Sequence, residues 1–84
     1  MNINDIKILQ ILEKEDCTNN LKSFTVKRIS NEVNLSQTKV RYTMPMLNDL
    51  GYANKGFSNG KSQTYYITEK GIEFLRRCLN GTAR

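Results

Sequence analysis

Histidine is absent from all 84 residues, which excludes the Cys/His zinc spacings and removes the commonest general base and metal ligand. Cysteine is scarce: Cys17 and Cys78 stand sixty-one positions apart. A disulfide between them would have to join the first and last helices. Without a secretion signal the chain is expected to be cytoplasmic and to keep both thiols reduced. No glycine-rich phosphate loop and no clustered carboxylates occur, so an enzyme is the poorest reading, and no cofactor or metal is expected. No apolar run approaches the roughly 20 residues of a membrane span. With one proline, five glycines and no repeat or low-complexity tract, the chain has no linker to divide it.

A chain of 9.7 kDa is expected to form one domain over 1–84. A domain of this size buries only about 60% of its unfolded surface. Neither a deep site between lobes nor a separate effector-sensing domain is expected.

Positive charge is abundant. Thirteen Lys and Arg face eight Asp and Glu, a net charge of +5, and the sequence pI is near 9.4. The excess is uneven: residues 1–21 carry net −2, residues 22–61 net +5 and residues 62–84 net +2. A basic middle segment is the electrostatic footprint of a polyanion binder.

The apolar pattern predicts a first helix over 3–15, with Ile3, Ile6, Leu9 and Leu12 as its stripe and Ile8 and Ile11 widening it. Asn2 is placed to cap it. After a polar loop, Ser23–Phe24 reads as a very short strand and Thr25 as the cap of a helix over 25–34, with Val26, Ile29 and Val33 on one face. Asn34-Leu35 breaks it. Ser36 caps a third helix over 36–50, where Val40, Met44, Leu47 and Leu50 repeat, and Gly51 stops it. Pro45 is expected to bend this helix, on the side away from Val40 and Leu47.

From 52 to 67 the period changes to that of strands. Asn59-Gly60 predicts a two-residue hairpin turn. That register sets Lys55 opposite Thr64 and Tyr52 opposite Ile67, with Tyr52, Tyr65 and Ile67 inward and Lys55 and Thr64 outward. Thr68 caps a last helix over 68–80, with Ile72, Leu75 and Leu79 on one stripe and Phe74 and Cys78 beside it. Gly81 to Arg84 are expected to fray.

Three segments in this order resemble a winged helix-turn-helix protein. They are Leu35-Ser36-Gln37-Thr38-Lys39-Val40, Leu50-Gly51-Tyr52, and Ile67-Thr68-Glu69-Lys70-Gly71. The similarity is to the MarR-like and PadR-like group and to small archaeal and phage winged-helix proteins. It implies an α+β fold: a three-helix core, a β-hairpin wing and a C-terminal helix. It also implies double-stranded DNA as partner, with the third helix in the major groove and the wing on flanking backbone or minor groove.

The residues themselves suit that role. With Val40, Met44 and Leu47 inward, Thr38, Arg41, Tyr42 and Pro45 face out and Gln37 sits at the exposed end. Gln37 suits adenine, Arg41 guanine and Thr38 a thymine methyl, while Tyr42 and Ser36 suit phosphate. Lys39 shares the motif. Lys55, Asn59 and Lys61 on the hairpin are candidate phosphate contacts, as are Lys27 and Arg28 on the preceding helix. The hairpin lysines also discourage edge-to-edge pairing, which is a second reason for their presence. Useful specificity calls for a homodimer, with Ile8, Ile11, Phe74 and Cys78 on the terminal helices as the candidate interface. The expected function is a sequence-specific transcriptional regulator. The alternative is a winged-helix protein–protein module of a replication or plasmid or phage maintenance complex.

Overall fold

The computed structural model describes residues 3–58, 60 and 62–81, the side chains of 79–81 excepted. Four helices and three short strands follow in the order α1 (Ile3–Lys14), β1 (Phe24–Thr25), α2 (Val26–Val33), α3 (Gln37–Asp49), β2 (Ala53–Lys55), β3 (Thr64–Ile67) and α4 (Glu69–Gly81). The strands form one antiparallel sheet in the order β1-β3-β2. This is the α+β winged helix-turn-helix architecture. α4 continues through Gly81, where fraying was expected. Asn2, Asn59 and Lys61, expected as cap and wing residues, lie outside the described residues.

Local chemistry sets the helix ends. The Thr25 hydroxyl accepts the Arg28 amide at 3.1 Å, and the Ser36 hydroxyl accepts the Lys39 amide at 3.1 Å, which satisfies an amide the helix leaves open. Asn34 takes the left-handed conformation at φ 60°, and the Leu35 amide returns to the Ser30 carbonyl. Asparagine tolerates that conformation better than most side chains, so α2 stops and α3 starts across it. Gly51, at φ +84°, ends α3 in the same way. Its amide bonds Asn48 and the Tyr52 amide bonds Leu47, a Schellman motif.

The core gathers Ile8, Leu9 and Leu12 of α1, Ile29 of α2, and Val40, Met44 and Leu47 of α3. Cys17 of the α1–β1 connection, Ala53, Tyr65 and Ile67 of the sheet and Leu75 of α4 complete it. Two expected stripes are corrected. On α1 the buried positions are Asp5, Ile8, Leu9 and Leu12, while Ile3 is exposed. Steps of three residues drift about 60° each around a helix of 3.6 residues per turn, so Ile3 rotates out of the face that holds Leu9 and Leu12. On α3 the buried set is Val40, Thr43, Met44 and Leu47, and Leu50, at the turn into Gly51, is exposed. Thr43 is tolerated inside because its hydroxyl donates to the Lys39 carbonyl at 2.9 Å.

The wing register differs by one residue from the expected one. Ala53 pairs with Ile67, Asn54 with Tyr66 and Lys55 with Tyr65. A one-residue slip exchanges the faces, so Ala53 rather than Tyr52 lies inward opposite Ile67. Tyr52 is half-buried and stacks on Phe74 with ring centroids 4.6 Å apart. The cause lies outside the hairpin. Phe24 pairs with Tyr65, and the Ile67 amide donates to the Cys17 carbonyl at 2.8 Å. These bonds set β3 independently of any tight turn, and residues 56–58 leave β2 without joining the ladder. Gly60 has a positive φ, 66°.

Thr64, expected outward, is buried. The chain leaving β2 passes over it. The Gly56 amide bonds the Thr64 carbonyl, the Thr64 hydroxyl donates to the Phe57 carbonyl, and the Phe57 amide reaches the Asn20 carbonyl at 3.4 Å. A Cβ on Gly56 would meet Ser23 Oγ at 2.5 Å and Thr64 Oγ1 at 2.8 Å, so only glycine fits beneath this crossing.

Thr68 closes the base of the wing. Its hydroxyl donates to the Gly51 carbonyl at 2.6 Å and accepts the Gly71 amide at 3.1 Å, and its own amide donates to the Tyr52 carbonyl. The strand into the wing, the strand out of it and α4 therefore meet at one hydroxyl.

Candidate nucleic-acid interface

α3 presents two unlike flanks. Residues around it advance about 100° each, so Gln37 and Arg41 share the flank toward the wing. Thr38, Pro45 and Asp49 form the crest opposite the core. Tyr42, Met46 and Leu50 run along the far flank, where they are 79%, 39% and 42% exposed. Pro45 is exposed on the side away from Val40 and Leu47.

The polar flank opens into a cleft of about 340 Å³ lined by Val26 and Lys27 of α2, Gln37 and Arg41 of α3, and Ser62, Gln63 and Tyr65 of the wing. Residues from three separate elements thus converge there. The Ser36 cap sets where α3 begins and so brings Gln37 to its mouth; the Thr25 cap does the same for Lys27. Gln63 is anchored, donating from Nε2 to the carbonyls of Thr64 at 3.1 Å and Gly56 at 3.3 Å. Among the described residues, Lys27, Lys39, Arg41 and Lys55 have no carboxylate within ion-pair distance, so their charge is free for an outside anion.

The predicted residues separate accordingly. Lys27, Gln37 and Arg41 come together. Ser36 and Thr38 stand beside them on the exposed start of α3, with the Ser36 oxygen occupied as a cap. Lys39 and Tyr42 lie round the helix on or near the far flank. Lys55 is exposed on β2 and does not line the cleft. Arg28 is held elsewhere: its Nε bonds Glu32 at 3.0 Å, and its guanidinium lies 4.5 Å over the Phe24 ring. Ser62 and Gln63 were missed because a two-residue turn would have placed them inside the ladder. A reading that weighed β3 against β1 could have freed them for the cleft.

Of the interface expected on the terminal helices, only Ile8 is corrected. Ile8 is fully buried in its own core, and Phe74 is engaged with Tyr52; Ile11 and Cys78 are half-buried. Cys17 and Cys78 form no disulfide. Burial, then the nearby Glu15 carboxylate, pushes the Cys17 thiol up to about 11. Burial likewise raises the Tyr65 phenol. Among the described residues no His/Cys/Asp/Glu group could hold a metal ion, and no helix is long and apolar enough to cross a membrane.

No family model matches the chain. A protein from Clostridium botulinum C phage, DNA-binding protein TubR, is 41% identical over 79 residues, which span 94% of this chain and 98% of that protein. The chain belongs to the TubR family. The solution structure of the DNA-binding TubR fragment from Clostridium botulinum superposes with a TM-score of 0.75 at 40% identity, covering 93% of this chain and 96% of that one. A MarR-family transcriptional regulator from Silicibacter pomeroyi shares the fold with a TM-score of 0.78 at 16% identity, over 92% of this chain and 49% of that one. The winged-helix resemblance read from the three motifs is thereby borne out, and this TubR-family chain spans about half of the MarR-type regulator it overlays.

Proposed function

We propose that this chain binds double-stranded DNA sequence-specifically, as a transcriptional regulator, with the start of α3 in the major groove and the wing on the flanking backbone. One observation carries the reading: Lys27, Gln37 and Arg41 converge on a single cleft at the N-terminal end of α3, with no carboxylate paired to either cation among the described residues. Gln37 and Arg41 read bases there, since a glutamine amide pairs bidentately with adenine and a guanidinium with guanine. Thr38 meets a thymine methyl, and Ser36 and Lys27 bond phosphate. Lys55, Asn59 and Lys61 extend the phosphate track along the wing, and Lys39 and Tyr42 continue it on the other side of α3. The DNA-binding relative at 41% identity supports the same reading.

A single module makes few base contacts, so the chain acts as a homodimer on two half-sites about 10–10.5 base pairs apart or a multiple of that. The exposed Met46 and Leu50 favour the far flank of α3 as the place where two copies meet.

Fluorescence anisotropy against labelled random duplexes across a salt series tests the proposal. Affinity that falls linearly in log–log with salt counts the phosphates neutralised. Absence of binding at low salt would overturn it and leave the exposed apolar residues to a protein–protein module.

A further inference from the structure

Two large apolar side chains, Leu21 at 80% and Phe57 at 59% exposure, stand outside the helices and strands. Slack backbone is not the reason. The Asn19 side-chain oxygen accepts the amides of Leu21 and Lys22 at 2.9 and 3.0 Å, and the Ser23 hydroxyl donates to the Asn20 carbonyl at 3.2 Å. This Asx turn holds Leu21 out. Phe57 is held through both of its backbone groups: its amide donates to the Asn20 carbonyl, and its own carbonyl accepts the Thr64 hydroxyl. Asn20 is bonded to Phe57 and followed directly by Leu21. The two apolar side chains therefore leave neighbouring stretches of fixed backbone.

The pair borders the cleft. Gln63, which lines it, donates from Nε2 to the carbonyl of Gly56, the residue before Phe57. A phosphate strand separates the two grooves of a duplex. With such a strand in the cleft and α3 on its major-groove side, the wing beyond lies on the minor-groove side. Charge agrees with that placement. Residues 17–31 and 50–68, which supply Leu21 and Phe57, hold five basic residues and no acidic one. Asp16, next to the first segment, is paired to Lys22 at 3.3 Å. Apolar tips on a cationic surround match the way proteins open the minor groove: cations hold the phosphates while the tips enter between bases.

We infer that Leu21 and Phe57 form a wedge that enters the minor groove beside the α3 site, partly unstacks one base step and bends the duplex. The inference rests on the DNA-binding reading above and adds to it a contact made without hydrogen bonds. Phe57 offers a flat face to the opened step, and Leu21 a second apolar surface beside it. Opening is easiest at pyrimidine–purine steps. The flank of the site thus gains a sequence preference that no base-edge contact supplies.

The test uses a duplex recovered by the wild-type chain from a random pool, labelled at its ends with a donor and an acceptor dye. Energy transfer reports bending and anisotropy reports binding. The wild-type chain should raise transfer as it binds. The chain carrying Leu21→Ser and Phe57→Ser, changed only at exposed positions, should keep the circular-dichroism melt. It should also keep the salt slope, since no charge is removed, yet leave transfer at the value of the free duplex. A single mismatch at the flanking step lowers the cost of opening it and should tighten wild-type binding about tenfold, and the variant's by no more than about twofold. Wild-type binding with no rise in transfer, an equal rise with both chains, or a mismatch that helps both alike would each overturn the wedge and leave the DNA-binding reading standing. A wild-type chain that recovers no duplex even at low salt would overturn both.

Discussion

The helix-turn-helix and the outer wing are built on different bonds. α2 and α3 are delimited by contacts within a single turn: hydroxyls of Thr25 and Ser36 on amides three residues on, and left-handed residues at Asn34 and Gly51. The start of the outer wing, Gly56 and Phe57, is held by Asn20, more than thirty positions earlier, and by Thr64 across the wing. Recognition geometry in the first region is thus encoded locally. In the second it depends on where β1 and the α1–β1 connection have come to rest. Between them lies the Thr68 joint, which ties the end of α3 to the start of α4.

The sharpest way to break the division is at that joint. A Cβ on Gly71 would fall on the Tyr52 carbonyl oxygen and lie 2.8 Å from Ile67 Cγ1. The backbone oxygen cannot move without opening the wing base. Gly71→Ala should cost about 3 kcal/mol, the upper range for overpacking, read as a lower midpoint in urea unfolding. A cost under about 0.5 kcal/mol, the ordinary surface range, would mean that the two regions are not rigidly joined.

Arg41 and Lys27 sharpen the contrast within the cleft. Arg41→Ala should lose about 1–3 kcal/mol on the preferred duplex and relax base preference at one position. Lys27→Ala should weaken every duplex alike and reduce the salt slope by about one phosphate. Site selection with both variants checks this, and an unchanged preference in Arg41→Ala would remove α3 from base reading.

The caps come next. Ser36→Ala frees the Lys39 amide and should cost about 1 kcal/mol, with a matching loss of DNA affinity because Gln37 loses its fixed starting point. Thr64→Val removes the bond to the Phe57 carbonyl. Its effect should fall on the wing, seen as faster amide exchange over 56–58 with α2 and α3 unchanged. Equal loosening of α3 would show that the wing is not separately held.

This division also explains what was legible. The three motifs that carried the resemblance are physically one apparatus: Ser36 caps α3, Gly51 ends it, and Thr68 and Gly71 lock that end to α4. Each does its work within a few residues or at one joint, so spacing alone exposed them. Arg41 and Gln37 followed from the helical period once α3 had its cap. The wing register did not follow, because Asn59-Gly60 is a local signal and the β1–β3 pairing that overrides it is not local. Ile8 was misassigned for a related reason. Its stripe is plain only when α1 is counted from the residues that α2, β3 and α4 cover. Ser62 and Gln63 became visible only with the loop that carries them.

The one effect that vanishes at neutral pH concerns Cys17, whose carbonyl accepts the Ile67 amide and so secures β3 to the end of α1. Its buried thiol is pushed up to about 11 from an ordinary 9.0, by burial first and by Glu15 second. Between those values the unfolded chain gives up the proton while the folded chain keeps it. The folded state then binds more protons, and stability falls as pH rises. Below pH 9 the thiol is neutral in both states and contributes no slope. The raised Tyr65 phenol adds a decline of the same sign above its ordinary 10.0. Urea midpoints should therefore be level from pH 7 to about 8.5 in this respect and drop toward pH 11. Cys17→Ala, which keeps the carbonyl, should remove the part of the decline that begins near 9. If the variant loses stability with the same slope, the thiol is not sealed, and the end of α1 belongs with the outer wing rather than with the helical core.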